Sequence, residues 1–169
     1  MRRTAVVLVV CLMAVMFPSA SASAQTLTPS RGAQTISANP FLLMYKIFNV
    51  EYERKHTSWS TWGVSSSMFG FGDADYRNIS TFYRYYPQHA ALNGFFIGGR
   101  AGVHRVSSDG AAGTFAGAGV EVGYDWLFGP QRNFAVGMGM GVTRLFGGAL
   151  SGASLTVPTL RLVNVGWSF

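Results

Sequence analysis

Cysteine is almost missing from this chain: Cys11 is the single one among 169 residues. If the segment that holds it is a cleaved leader, the mature chain has no thiol, which excludes disulfides, cysteine-based metal sites and a cysteine nucleophile. Charge is scarce as well. Asp, Glu, Lys and Arg make up 12% of the residues, about half the share of an ordinary soluble domain. Long apolar runs are also lacking: after the first twenty residues, no stretch is continuous enough to cross a bilayer as a helix, which takes about 20 apolar residues. A chain that is apolar on average but never for long is one of strands with a single apolar face. Its length suits one domain.

The N-terminus reads as an export signal. Arg2 and Arg3 form a charged n-region, Ala5 to Phe17 an apolar h-region, and Ala22-Ser23-Ala24 a small-residue cleavage site. Cleavage is predicted between Ala24 and Gln25. The residues after Arg2-Arg3 do not support a twin-arginine signal, and Leu8-Val9-Val10-Cys11 lacks the small residue that a lipoprotein site places before its cysteine. Residues 1–24 are therefore a signal peptide, 25–33 a polar flexible leader and 34–169 the folded domain. Loss of Arg2 and Arg3 takes the formal net charge from +6 to +4. The remaining arginines are scattered singly and form no nucleic-acid patch.

What is abundant is glycine, at 21 residues, and aromatics, at 14%. Turn signals divide the rest of the chain into segments of strand length for a tilted membrane barrel. Eight strands are predicted: 34–43, 49–56, 59–70, 76–86, 94–106, 114–128, 133–146 and 155–169. The first two are the least sharply separated, because Asn39-Pro40 and the connection after Leu43 also fit one bent strand. The expected fold is an all-β, antiparallel, up-and-down transmembrane β-barrel of eight strands, an even count that leaves both ends of the barrel domain on the periplasmic side.

Period-2 alternation carries this reading. Ala116, Ala118, Val120, Val122, Tyr124 and Trp126 share one face of a strand, and Gly117, Gly119, Glu121, Gly123 and Asp125 the other. Phe134, Val136, Met138, Met140 and Val142 likewise oppose Ala135, Gly137, Gly139, Gly141 and Thr143. Phe95, Ile97, Ala101 and Val103 oppose Gly98, Arg100, Gly102 and His104. A soluble sandwich also alternates, but here the bulky face is apolar and the other is glycine with single charges. That suits lipid outside and a crowded lumen inside. Trp62, Tyr83, Tyr85, Phe95, Tyr124, Trp126, Phe134 and Trp167 fall on the outward face near predicted periplasmic turns, where an interfacial belt belongs. In the last strand Leu160 and Leu162 are out of phase with Val163, Val165 and Trp167. A β-bulge near Val163-Asn164 would return both sets to lipid.

Five segments carry a family resemblance: Asn39-Pro40-Phe41-Leu42-Leu43, Phe48 to Arg54, Arg84-Tyr85-Tyr86-Pro87, Arg132 to Gly137, and Pro158 to Leu162. Together they resemble an uncharacterised family, a domain of unknown function, of small bacterial outer-membrane β-barrel proteins. More distantly the chain is similar to OmpA/OmpX-type eight-stranded barrels, from which its short, charge-poor outer loops depart. The alternating end Val165 to Phe169 resembles that of outer-membrane barrel chains. The resemblance implies that Trp167 and Phe169 act as the signal read by the barrel-assembly machinery during insertion. It implies no activity.

By strand parity, Glu51, Glu53, Arg84, Arg100, Glu121, Asp125 and Arg161 point into the lumen, Arg161 only if the bulge exists. Four carboxylates and three guanidiniums in so narrow a space must interlock through charge-assisted hydrogen bonds, because an unpaired buried charge is very costly. The reading is an outer-membrane barrel with a closed, salt-bridged lumen and a structural or interaction role. Two alternatives stand beside it: small-molecule binding or a narrow conduit in the lumen, and a lipid-modifying enzyme, since lipid A deacylases and acyltransferases use such barrels. An open porin is excluded, because eight strands leave no channel once side chains fill the lumen.

No catalytic constellation emerges. His56-Thr57-Ser58 resembles the His-x-Ser of the deacylases but falls at a predicted periplasmic turn, as does His89. His104 is expected inward near the outer rim with Ser107 close by, but no third orienting group or oxyanion site accompanies them. No spacing suggests metal ligands and no cofactor is implied. The Gly-x-Gly steps lie on strands and open no helix. Arg105 and Arg144 are expected outward near the outer rim, extended toward anionic groups. The expected surroundings are outer-membrane lipid and lipopolysaccharide, with no nucleic acid partner, around a monomer.

Overall fold

The structure, a computed structural model, describes residues 32–44, 46–71, 74–108, 111–147 and 155–169. The expected signal peptide, its cleavage site and most of the leader lie outside them.

Eight strands form one closed antiparallel barrel in sequence order. They are β1 (Gln34–Ala38), β2 (Ile47–Lys55), β3 (Ser60–Phe71), β4 (Ala74–Tyr85), β5 (Gly94–Ser108), β6 (Ala111–Phe128), β7 (Phe134–Phe146) and β8 (Leu155–Ser168). A short helical turn, α1 (Pro40–Leu43), lies between β1 and β2. The barrel closes where Thr35 to Ala38 pair with Ser168 to Val165. One end, here the lower, holds Gln34, Ser168 and the connections 56–59, 86–93 and 129–133. The connections β1–β2, β3–β4, β5–β6 and β7–β8 lie at the other.

The alternation sorts the side chains as lipid outside and charge inside would require. Ile79, Val103, Val120, Val142 and Trp167 are among the exposed large apolar residues, each at least half exposed. The buried set includes Glu51, Glu53, Arg84, Glu121, Asp125 and Arg161. This inverts a soluble protein and is the pattern of an outer-membrane-type barrel. Among the described residues no helix is long and apolar enough to cross a membrane.

Two departures from the sequence reading matter. The first strand ends at Ala38, not Leu43. The Asn39 side chain accepts hydrogen bonds from the Phe41 and Leu42 amides at 3.1 and 3.0 Å, and Pro40 occupies the first helical position, where its missing N–H has no cost. The chain therefore turns helical and leaves the sheet. As a result β8 has no β1 partner above Val165, and its residues 155–164 pair on the β7 side alone. Pro158 lies in this stretch, and proline is tolerated on a strand with a free edge. The second departure is small. The β7–β8 register advances two residues from Gly137 to Gly139 on β7 and three from Arg161 to Asn164 on β8. The extra residue lies at Leu162-Val163, both of which are exposed, while Arg161 and Asn164 on either side are buried.

The lower mouth is plugged. Within residues 86–93 the chain turns inward, with Tyr86, Ala90, Ala91, Leu92 and Asn93 all buried. Leu92 packs on Leu127 and Ala135, and Ala91 on Tyr86 and Phe96. The Ala91 amide donates to Ser58 O at 2.9 Å, the Tyr86 amide to Trp59 O at 2.7 Å, and the Leu127 amide to Asn93 Oδ1 at 3.3 Å. Leu92 holds φ at 70°, an uncommon conformation for a branched side chain. The burial of its isobutyl group offsets that cost.

Candidate functional site

The site is the charge cluster at mid-height in the lumen, and strand parity builds it. β2 directs Glu51 and Glu53 inward, β4 Arg84, β5 Arg100, β6 Glu121 and Asp125, and β8 Arg161. Arg84, with none of its surface exposed, is the hub. Its Nε donates to Glu121 Oε1 at 2.7 Å, Nη1 to Glu53 Oε2 at 2.6 Å and Nη2 to Glu51 Oε1 at 3.1 Å. A single guanidinium thus uses its fork on three carboxylates from two strands. Arg161 is a second hub, donating from Nε to Glu51 Oε2 at 2.6 Å and from Nη1 to Asp125 Oδ1 at 2.5 Å. Arg100 is held more loosely: its Nη2 lies 3.3 Å from Glu121 Oε2 and 3.8 Å from Glu51 Oε1. Its Nε has no partner among the described residues.

All seven lumen residues expected from the sequence meet here. Four carboxylates face three guanidiniums, and neutral donors complete the shell. Thr61 Oγ1 donates to Glu53 Oε1 at 2.5 Å. The Tyr86 hydroxyl lies 2.9 Å from Glu53 Oε1 and 2.8 Å from Asp125 Oδ2. With one hydrogen, it serves one carboxylate at a time. Asn164 Nδ2 reaches Asn49 Oδ1 at 3.3 Å, a side-chain bridge from β8 to β2 just above the point where β1 ends. Aromatic rings line the cluster, with the Arg84 guanidinium carbon 4.0 Å from the Phe82 centroid and 4.5 Å from that of Phe96.

Glycine makes the room. A Cβ at Gly137 would collide with Arg161 Nη1 and Asp125 Oδ1, and one at Gly98 would press on Arg84 Cγ at 3.1 Å and Glu121 Cγ at 3.2 Å. The small face noted in the sequence is the mould of the ion pairs.

Sequence reasoning did not find Thr61, Tyr86, Phe82, Phe96 or Asn164. Tyr86 was findable, because it continues the parity of Phe82 and Arg84 one step beyond the strand end. Ser107 is a correction. It lies an odd number of residues from His104 and so on the opposite face, and its neighbours are the outward Asp75, Arg77 and Arg105. His104 is buried, with Nδ1 2.6 Å from the Tyr76 hydroxyl. Its Nε2 has no hydrogen-bond partner among the described residues and lies against Gly117. His56 and His89 are exposed at the lower end. Among the described residues, no three of His, Cys, Asp and Glu are arranged to hold a metal ion. Trp167 faces outward on β8 and Phe169 follows it, its amide and carbonyl bonded to Gln34.

A closed barrel with this alternation matches one family model, described as a protein of unknown function (DUF3575), over residues 7–147. The chain belongs to that family. The match takes in six of the seven lumen charges, and the DUF3575 span ends before β8, which supplies Arg161. In fold the chain is similar to the N-terminal β-barrel domain of Pseudomonas aeruginosa OprF, with 14% identity over 80% of this chain and 96% of that one and a TM-score of 0.47. It is also similar to the Yersinia pestis outer membrane protein Ail, with 14% identity over 82% of this chain and 99% of that one and a TM-score of 0.45. No curated protein sequence matches it.

Proposed function

We propose that this DUF3575 protein is a resident of the bacterial outer membrane whose lumen is closed and which acts as a structural or interaction protein from its surface. One observation carries the reading. Arg84, at 0% exposure, is clamped between carboxylates of β2 and β6, directly above a lower mouth filled by residues 86–93. A solute path along the axis would have to break several charge-assisted hydrogen bonds and leave charges unpaired, which costs several kcal/mol. The apolar outer face supports the membrane placement. Trp167 and Phe169 are assigned to recognition by the assembly machinery, and the surrounding partners are lipid and lipopolysaccharide around a monomer. The reading includes no catalytic step: the buried His104 ring is hydrogen-bonded to the Tyr76 hydroxyl and lies against Gly117.

Two measurements test this. The outer-membrane fraction, run unheated against boiled, should give a heat-modifiable band. The purified protein in planar bilayers should give no reproducible single-channel steps. A soluble protein without a mobility shift would overturn the membrane placement, and reproducible steps would overturn the closed lumen.

A further inference from the structure

The barrel wall sorts its charges by sign. Among the described residues, every wall carboxylate faces the lumen except Asp75, while the outward charges of the wall are otherwise Arg54, Arg77, Arg105 and Arg144. Two of these arginines do something unusual. Arg77 on β4 and Arg105 on β5 are direct cross-strand partners, and both are exposed on the outer face. Their Cβ atoms are therefore about 5 Å apart, and like charges placed directly opposite destabilise a sheet. Neither guanidinium has an ion-pair or hydrogen-bond partner among the described residues. The next pair up, Asp75 and Ser107, completes a shallow pocket with them. One carboxylate against two guanidiniums leaves the pocket cationic.

Its height is informative. Arg77 lies eight positions up β4 from Tyr85, one of the exposed aromatics of the lower belt. At a strand rise of about 3.3 Å and a tilt of about 40°, that is about 20 Å along the barrel axis. Such a barrel carries an apolar band of about 25 Å, and the outward residues between, Ile79 and Val103 among them, carry no charge. The pair thus stands at the upper edge of the band, where lipid headgroups meet the wall.

We propose that Arg77 and Arg105 form a phosphate clamp for an anionic outer-leaflet glycolipid of the lipid A type, with the Ser107 hydroxyl as an additional donor. Two adjacent guanidinium forks fit the oxygens of a phosphate monoester, and a bound dianion removes the repulsion that otherwise strains this rung of the sheet. The acyl chains of the same lipid would lie against Ile79 and Val103 below. This inference rests on the membrane placement proposed above and adds the ligand class and the residues that hold it.

The test is native mass spectrometry of the full-length, detergent-solubilised protein titrated with bis-phosphorylated lipid A. The expected result is saturable binding that falls roughly tenfold in R77Q and in R105Q, and further in the double variant. R54Q, an outward arginine at the lower end, should bind as the native chain does. Enzymatically dephosphorylated lipid A should bind no better than the double variant allows. Equal affinity for the dephosphorylated lipid, or undiminished affinity in the double variant, overturns the clamp. Displacement by inorganic phosphate at equal concentration would make it a site for free phosphate and overturn the lipid assignment. The heat-modifiable shift is recorded for every variant. Its loss in the native chain would refute the membrane reading, whereas lost binding with the shift intact in R77Q and R105Q concerns the clamp alone.

Discussion

The lower and upper halves of this barrel are held in different ways. In the lower half all eight strands are present, residues 86–93 fill the mouth, and Arg84 donates three hydrogen bonds of 2.6 to 3.1 Å to three carboxylates. In the upper half β1 has ended at Ala38, β8 runs on with one free edge, and the charged side chains are held more loosely. Arg100 reaches its carboxylates at 3.3 and 3.8 Å, and Arg100 Nε and His104 Nε2 are both buried without a partner among the described residues. The same alternation of small and charged residues lines both halves. What separates them is closure: where β1 has ended, side chains such as Asn164 and Asn49 bridge the gap between β8 and β2 in its place.

The contrast can be broken most directly at its two arginines. Arg84→Ala leaves Glu51, Glu53 and Glu121 buried with much of their compensation gone, and should lower stability by about 3–5 kcal/mol in urea unfolding monitored by the mobility shift. Arg100→Ala removes longer contacts from carboxylates that keep another guanidinium, and should lower it by about 1–2 kcal/mol. Equal losses would mean that the halves are not distinct. Hydrogen exchange sharpens the same contrast without mutation. Amides of β1, which pairs with β8 at four positions, should exchange before those of β5 and β6, which pair at fifteen. Uniform protection around the barrel would contradict a weak seam. The smallest effect is expected at the cap that ends β1. Asn39→Ala removes the acceptor for two α1 amides and should lower stability by about 1 kcal/mol, with faster exchange confined to the α1 turn.

Most of the barrel is legible in the sequence because lipid makes an unforgiving partner. Each outward residue from β3 to β7 must be apolar, aromatic or able to reach the interface, so a two-residue period survives over long strands. Strand ends there agree with the expectation to within a few residues. The inward charges followed from the same parity. Even the β8 bulge showed in advance, because Leu162 and Val163 cannot both face lipid in a regular strand. What was not legible lies where parity stops. Asn39-Pro40 is a helix-start signal, but beside a run of Phe41, Leu42 and Leu43 it reads equally as a bend in a strand. Residues 86–93 resemble any turn, and nothing local in Ala90-Ala91-Leu92 shows that it folds inward rather than outward. Tyr86 lay inside the expected strand 76–86 on its inward parity, and was missed because only charged side chains were carried into the cluster. Ser107 was placed beside His104 by closeness along the chain, although the pleat puts it on the other face.

The lumen cluster also links segments far apart in the chain. Glu51 on β2 meets Arg161 on β8 across 110 residues, and Asp125 meets Arg161 across 36. Before the last strand arrives, four lumen acids face two guanidiniums, and Asp125 has none within reach. Arg161 lowers the excess of carboxylates over guanidiniums from two to one, so the final strand supplies a counter-charge as well as the final hydrogen bonds. A sheet that closed early around seven strands, or with β8 shifted by one residue, would carry Arg161 to the wrong face and leave the deficit in place. The cluster therefore acts as a register lock, one that rewards a single way of completing the ring.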